Sequence, residues 1–101
     1  MALVDTGARR TCIGNPVVEA LSLSPSREDV PLRTAGGVVG TGLYDLRVVI
    51  LEDSGSWGPA VNLTAPHIPS IGDAYQAIIG RDVLSLGDLT LERSGSYLFT
   101  L

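Results

Sequence analysis

Short apolar runs alternate with polar breaks carrying glycine or proline along the whole chain. The longest run is Leu43–Leu51, where Leu46, Val48 and Ile50 alternate with Arg47, Val49 and Leu51 in the period of two that marks a strand. Shorter runs predict strands over Met1–Val4, Arg9–Ile13, Val30–Thr34, Ala60–Thr64, Tyr75–Ile79, Asp88–Glu92 and Tyr97–Leu101. Ala2–Val4 reads as buried. In Arg9–Ile13, Thr11 and Ile13 share one face and Cys12 takes the other. Ala35–Gly42 is glycine-rich between two strands and predicts a flexible hairpin, and Arg93–Ser96 predicts a second hairpin turn. Asn15 is placed to cap, and Pro16 to open, a short helix over Pro16–Leu21 that turns Val17, Val18 and Leu21 to the core. A second short helix is expected over Arg81–Leu86. Ser22–Asp29 reads as a polar loop and Glu52–Gly58 as a turn carrying Trp57. Pro66 and Pro69 make the stretch between them irregular, because proline cannot donate to a ladder. The pattern therefore predicts a mostly β, closed antiparallel domain with one or two short helices.

A chain of 101 residues makes one domain, 1–101, with a small core. The net charge of −4 offers no basic face for nucleic acid. No apolar run reaches the length of a membrane span, and no basic-then-apolar leader opens the chain. The single cysteine, Cys12, has no internal disulfide partner, so a reducing, cytoplasmic setting is the simpler reading and a buried free thiol its simplest role. The sequon Asn62-Leu63-Thr64 is then accidental. His67 reads as a loop residue and Trp57 as a cap on the core edge. No cluster of His, Cys and carboxylates suggests a metal, and no cofactor is expected. Val39-Gly40-Thr41-Gly42 has a faint look of a dinucleotide loop, but there is no room for the helix that must follow it.

Two stretches carry candidate chemistry. Ala2-Leu3-Val4-Asp5-Thr6-Gly7-Ala8 places a carboxylate where an apolar strand meets a sharp turn. A charge there is costly unless it is paired or functional. Ala77-Ile78-Ile79-Gly80-Arg81-Asp82 is the second, far along the chain and beyond the glycine-rich hairpin. A turn residue bonding backbone amides is the plain reading of Asp5 by itself. Asp-Thr-Gly-Ala after an apolar strand, with Ile-Ile-Gly-Arg much later, resembles the retropepsin-like aspartic proteases, the retroviral proteases and their single-domain cellular and bacterial relatives. The resemblance spans nearly the whole chain.

It implies the acid-protease fold and peptide hydrolysis without metal or cofactor. Two carboxylates that share one proton activate a water. One chain supplies one such Asp, so the resemblance implies a homodimer with Asp5 and its symmetry mate at the two-fold axis. Thr6 would bond across that axis, and Gly7 would let the backbone approach the carboxylate. Leu3, Ala8 and Ile78 would line the substrate site and favour apolar side chains at the cleaved bond. Residues 35–42 would form a flap, with Gly36 and Gly37 permitting motion and Val38 and Val39 at its apolar tip. The flap would close over an extended peptide or protein substrate. Ile79, Gly80, Arg81 and Asp82 would support the site.

Two departures from the family pattern stand out. Arg9 and Arg10 replace the acidic residues that follow the motif in many retroviral relatives. Arg81 then lacks its usual partner. Asp82 could pair with Arg9 or Arg10, leaving Arg81 to Asp88 or Glu92; alternatively Arg9 or Arg10 faces the cleft and favours acidic substrate residues. Only four residues precede Asp5, where relatives carry a further strand and hairpin. The chain then reads as short at its N-terminus, with its dimer held differently, or as a domain from a longer protein. A catalytically inactive dimerisation or peptide-binding module is the rival reading.

Overall fold

The computed structural model describes residues 1–69, 71 and 74–101. Strands dominate, with two short helices. In chain order the elements are β1 (Ala2–Val4), β2 (Cys12–Ile13), α1 (Asn15–Ala20), β3 (Arg27–Thr34), β4 (Gly37–Leu51), β5 (Trp57–Pro66), β6 (Ala77–Ile79), α2 (Arg81–Leu84), β7 (Asp88–Leu91) and β8 (Tyr97–Thr100).

The described strands form three separate sheets instead of one closed antiparallel barrel, ordered β1-β6-β2, β3-β4-β5 and β7-β8. In the first sheet β6 enters between two strands that are neighbours in sequence. It runs parallel to β1, pairing Leu3 with Ile78, and antiparallel to β2, pairing Cys12 with Ile78. The segment from Asp5 to Thr11 must therefore arch over the end of β6. That arch carries the candidate carboxylate.

The core lies between the first two sheets and α1. Ile13, Tyr44 and Ala65 are buried together, and Val17, Val18, Leu23 and Leu46 pack on them. Thr11, Cys12 and Ile13 are all buried, so both faces of this segment are covered. Cys12 is the buried free thiol expected. A cavity of about 200 Å³ between β4, β6 and the β7–β8 hairpin is lined by Val48, Ile79, Leu89 and Phe99 among others.

Several local expectations are corrected. Gly14, not Asn15, is the N-cap of α1. The Asn15 side-chain oxygen instead lies 2.6 Å from Nε2 of His67. His67 bridges to Ile13 and stands edge-on to Tyr44, so it is more than a loop residue. Leu21 lies past the end of α1 and is exposed. The polar stretch before Val30 is partly strand: β3 starts at Arg27 and accommodates Asp29, at φ 51°, in a register shift. Asp tolerates this left-handed conformation better than most side chains. Pro66 still belongs to β5, opposite Leu43 at its last rung. Trp57 opens β5 and is 78 % exposed, so it caps no core edge among the described residues. The run Ala2–Val4 is exposed, because β1 is an edge strand and no described strand pairs with its outer side.

The glycine-rich hairpin is present as β3 and β4 joined at Ala35-Gly36. Most of 35–42 is strand, since β4 begins at Gly37. Gly37 has φ 115°, a conformation that glycine accepts readily and side chains resist. The Thr34 hydroxyl donates to the Gly37 carbonyl at 2.9 Å and accepts from the Gly36 N–H at 3.2 Å, which closes the turn.

Candidate active site

Asp5 follows β1 directly, and its N–H donates to the Ile79 carbonyl at 3.0 Å, adding one more rung to the β1–β6 pairing. The Gly7 N–H donates to Asp5 Oδ1 at 2.8 Å. The Ala8 N–H donates to the Asp5 carbonyl at 3.2 Å and closes a tight turn. A Cβ on Gly7 would lie 3.1 Å from the Asp5 carboxylate, so the glycine makes room for this approach. The carboxylate is thus aimed by its own loop. Thr6 and Gly7 are exposed and Asp5 is half-buried.

The second motif fastens the arch from below. The Arg81 N–H donates to the Ala8 carbonyl at 2.9 Å. A Cβ on Gly80 would stand 2.5 Å from the Arg10 carbonyl carbon and 2.6 Å from its oxygen, so only glycine permits this backbone crossing. The Thr11 hydroxyl donates to Asp82 Oδ1 at 2.7 Å and accepts from the Gly80 N–H at 3.0 Å. The Thr11 N–H reaches both Asp82 oxygens, at 3.0 and 2.9 Å, and the Val83 N–H donates to Oδ1 at 2.9 Å. Asp82 is therefore engaged by Thr11 and the first turn of α2, and not by Arg9 or Arg10. Charged acceptors bonded to buried donors form the stronger class of hydrogen bond.

Of the sequence-predicted residues, the fold brings together Leu3, Asp5, Thr6, Gly7, Ala8, Ile78, Ile79, Gly80, Arg81 and Asp82. Leu3 and Ile78 are register partners on adjacent strands. The hairpin tip is exposed. Val38 is 64 % exposed, Val39 is exposed, and the turn's bonds are internal to it. A groove of about 330 Å³ beside the site is lined by Leu3, Val4, Thr6, Leu91 and Tyr97 among others. Thr11 is the residue that the sequence reading missed. A threonine directly before the apolar Cys12-Ile13 pair, on the face shared with Ile13, was the available signal, since a buried hydroxyl needs a partner.

No group of three or more His, Cys, Asp or Glu side chains among the described residues could hold a metal. No described helix is long and apolar enough to cross a membrane. The family model described as aspartyl protease matches residues 1–83. The chain belongs to the aspartyl protease family. The part that matches the aspartyl proteases holds both motifs and the hairpin and stops within α2, leaving β7 and β8 outside. No curated protein matches the chain. Membership among aspartyl proteases points to peptide hydrolysis.

Proposed function

We propose that the protein is an aspartic endopeptidase of retropepsin type, with the acid-protease fold, active as a homodimer in which each chain contributes Asp5. The observation that carries this reading is the fastening of the Asp5 arch. The carboxylate is aimed by the Gly7 N–H, and the arch is fixed beneath by Gly80, Arg81 and the Thr11–Asp82 bonds. Rigid placement of a carboxylate is what catalysis by a shared proton needs.

The exposed edge supports the second copy. Leu3, Val4, Leu91 and Tyr97 form an apolar strip next to Thr6, and Leu91 is 72 % exposed. Apolar strips at an edge strand are natural contact surfaces. In the dimer, Thr6 of each chain interlocks across the axis. The ionised carboxylate of the pair takes a proton from water as its oxygen attacks the peptide carbonyl carbon. The protonated carboxyl gives its proton to the carbonyl oxygen. The first carboxyl then gives its newly gained proton to the amide nitrogen as the C–N bond breaks, and the second carboxylate takes back a proton from the gem-diol hydroxyl, which restores the pair. Leu3, Ala8 and Ile78 receive apolar substrate side chains. The 35–42 hairpin, with Gly36, Gly37, Val38 and Val39 at its end, folds over the bound peptide as a flap and excludes water. The buried reduced Cys12 suits a cytoplasmic setting.

The test is a concentration series in which sedimentation and peptide cleavage are read together for the wild type and Asp5→Asn. The expected result is a dimer that cleaves peptides at apolar pairs, with Asp5→Asn still dimeric and inert. A dimer that binds peptides and never cleaves them would overturn hydrolysis and leave a binding module. Cleavage by a monomer would overturn the shared site.

A further inference from the structure

Arg9 and Arg10 follow the candidate carboxylate on the same arch and are both exposed. The arch holds them near it. The bond from the Ala8 N–H to the Asp5 carbonyl makes residues 5–8 a tight turn, so their Cα atoms lie within about 7 Å of each other. One further residue adds at most about 3.8 Å, which places the Arg9 Cα within roughly 11 Å of that of Asp5 and Arg10 within roughly 15 Å. An extended peptide advances about 3.3 Å per residue. Both arginines therefore start within reach of a peptide lying across Asp5, a few residues from the bond cleaved there.

The backbone is fastened on either side of these residues. Ala8 is bonded to Arg81, the Arg10 backbone is pressed against Gly80, and Thr11 is buried. Asp82, the partner that its charge suggested, does not bond to them. Asp82 is taken up by Thr11 and Val83. The chain as a whole carries −4, so this pair of positive charges stands out against a predominantly acidic molecule. Arginine binds carboxylates through a planar two-pronged contact.

We infer that Arg9 and Arg10 select acidic substrates: the peptide taken at this site carries Asp or Glu flanking the apolar pair at the cleaved bond. This rests on the peptidase reading above for the position of the substrate, and deepens it by naming the substrate class. In the homodimer each half-site supplies its own arginine pair, so acidic residues are favoured on both sides of the cleaved bond.

The experiment uses the full chain and three matched peptides that share one apolar pair and carry Glu, Gln or Lys at positions two to four on both sides. The wild type is expected to cleave the Glu peptide roughly three- to tenfold more efficiently, by kcat/KM, than the Gln peptide, the size exposed charge pairs deliver. That ratio falls towards one as added salt shortens the screening length. The double variant Arg9→Glu/Arg10→Glu is expected to reverse the order and prefer the Lys peptide. Such a reversal cannot come from misfolding. Equal rates on Glu and Gln peptides in the wild type, or a Glu preference that survives charge reversal, would overturn the inference. Binding of the same fluorescent peptides to Asp5→Asn separates the two readings. Tighter binding of the Glu peptide without cleavage by the wild type sinks the peptidase reading and keeps this one. Cleavage without charge preference does the opposite. Neither binding nor cleavage sinks both.

Discussion

The Thr11 hydroxyl stands 2.7 Å from Asp82 Oδ1 and joins two segments 71 residues apart. It also accepts from the Gly80 N–H. One buried oxygen thereby completes both the carboxylate and the backbone crossing under Asp5. Removing it strands the Gly80 N–H and takes one charged bond from Asp82. Thr11→Val is expected to lower the unfolding free energy by about 2–4 kcal/mol. Thr11→Ser, which keeps the oxygen, should recover most of the loss. Urea unfolding of the three proteins checks this. A valine variant as stable as the wild type would show that the bonds contribute nothing.

Gly80 and Gly36 differ in what a side chain would meet. A Cβ at Gly80 runs into the Arg10 backbone, whereas the nearest atom to one at Gly36 is the Thr34 hydroxyl oxygen at 3.8 Å. Gly80→Ala is therefore expected to destabilise by about 2 kcal/mol or more, because backbone must move. Gly36→Ala should change stability by less than about 0.5 kcal/mol. Thermal unfolding of both variants distinguishes them, and equal melting temperatures would contradict the crossing as described.

Burial pushes the Cys12 thiol above its ordinary value of 9.0, the negative charge of Asp82 adds to the shift, and Arg10 opposes it. The proton is held more tightly in the folded chain than in the unfolded one. The thiol's contribution to stability is therefore complete below pH 9.0 and is lost as pH rises from there through the folded value. Native Cys12 should also react with thiol reagents only slowly at neutral pH. Urea titrations at neutral pH and at successive values above 9.0 are expected to show a steeper alkaline loss in the wild type than in Cys12→Ala. Parallel curves would refute this.

The proposed dimer makes its own demand on the apolar strip. Leu91→Arg places a charge on a side chain that the single chain leaves in water, so the far-ultraviolet dichroism should be unchanged. Sedimentation should show monomer at concentrations where the wild type is dimeric, and cleavage should disappear with the dimer. Unaltered association would move the interface elsewhere.

Much of the fold was legible because periodicity is local. The alternation through Leu43–Leu51 announced β4, and Val17 and Val18 were rightly turned to the core. The errors came where a distant partner decides. Asn15 is a good cap by type, yet His67 claims its side chain. Ala2–Val4 is apolar enough to be buried, yet it lies at a sheet edge. Asp82 suggested an arginine partner by charge alone, but a hydroxyl and two backbone amides satisfy it better at that depth. The need for glycine at position 80 is steric and belongs to a crossing that no local pattern encodes. At the site, the two motifs were readable as words, and their junction through Thr11 was not.

β4 changes character along its length. Gly37–Gly40 are exposed, while Thr41, Leu43 and Tyr44 are buried, with the Thr41 hydroxyl bonded to the His67 carbonyl. One continuous strand thus passes at Thr41 from a free end into an anchored stretch. Changes at Thr41, Leu43 and Tyr44 disturb the core, whereas Val38 and Val39 exchange side chains at little thermodynamic cost. The hairpin end is therefore evolvable in a way that the rest of the strand is not: what it touches can be rewritten residue by residue while the scaffold is inherited intact.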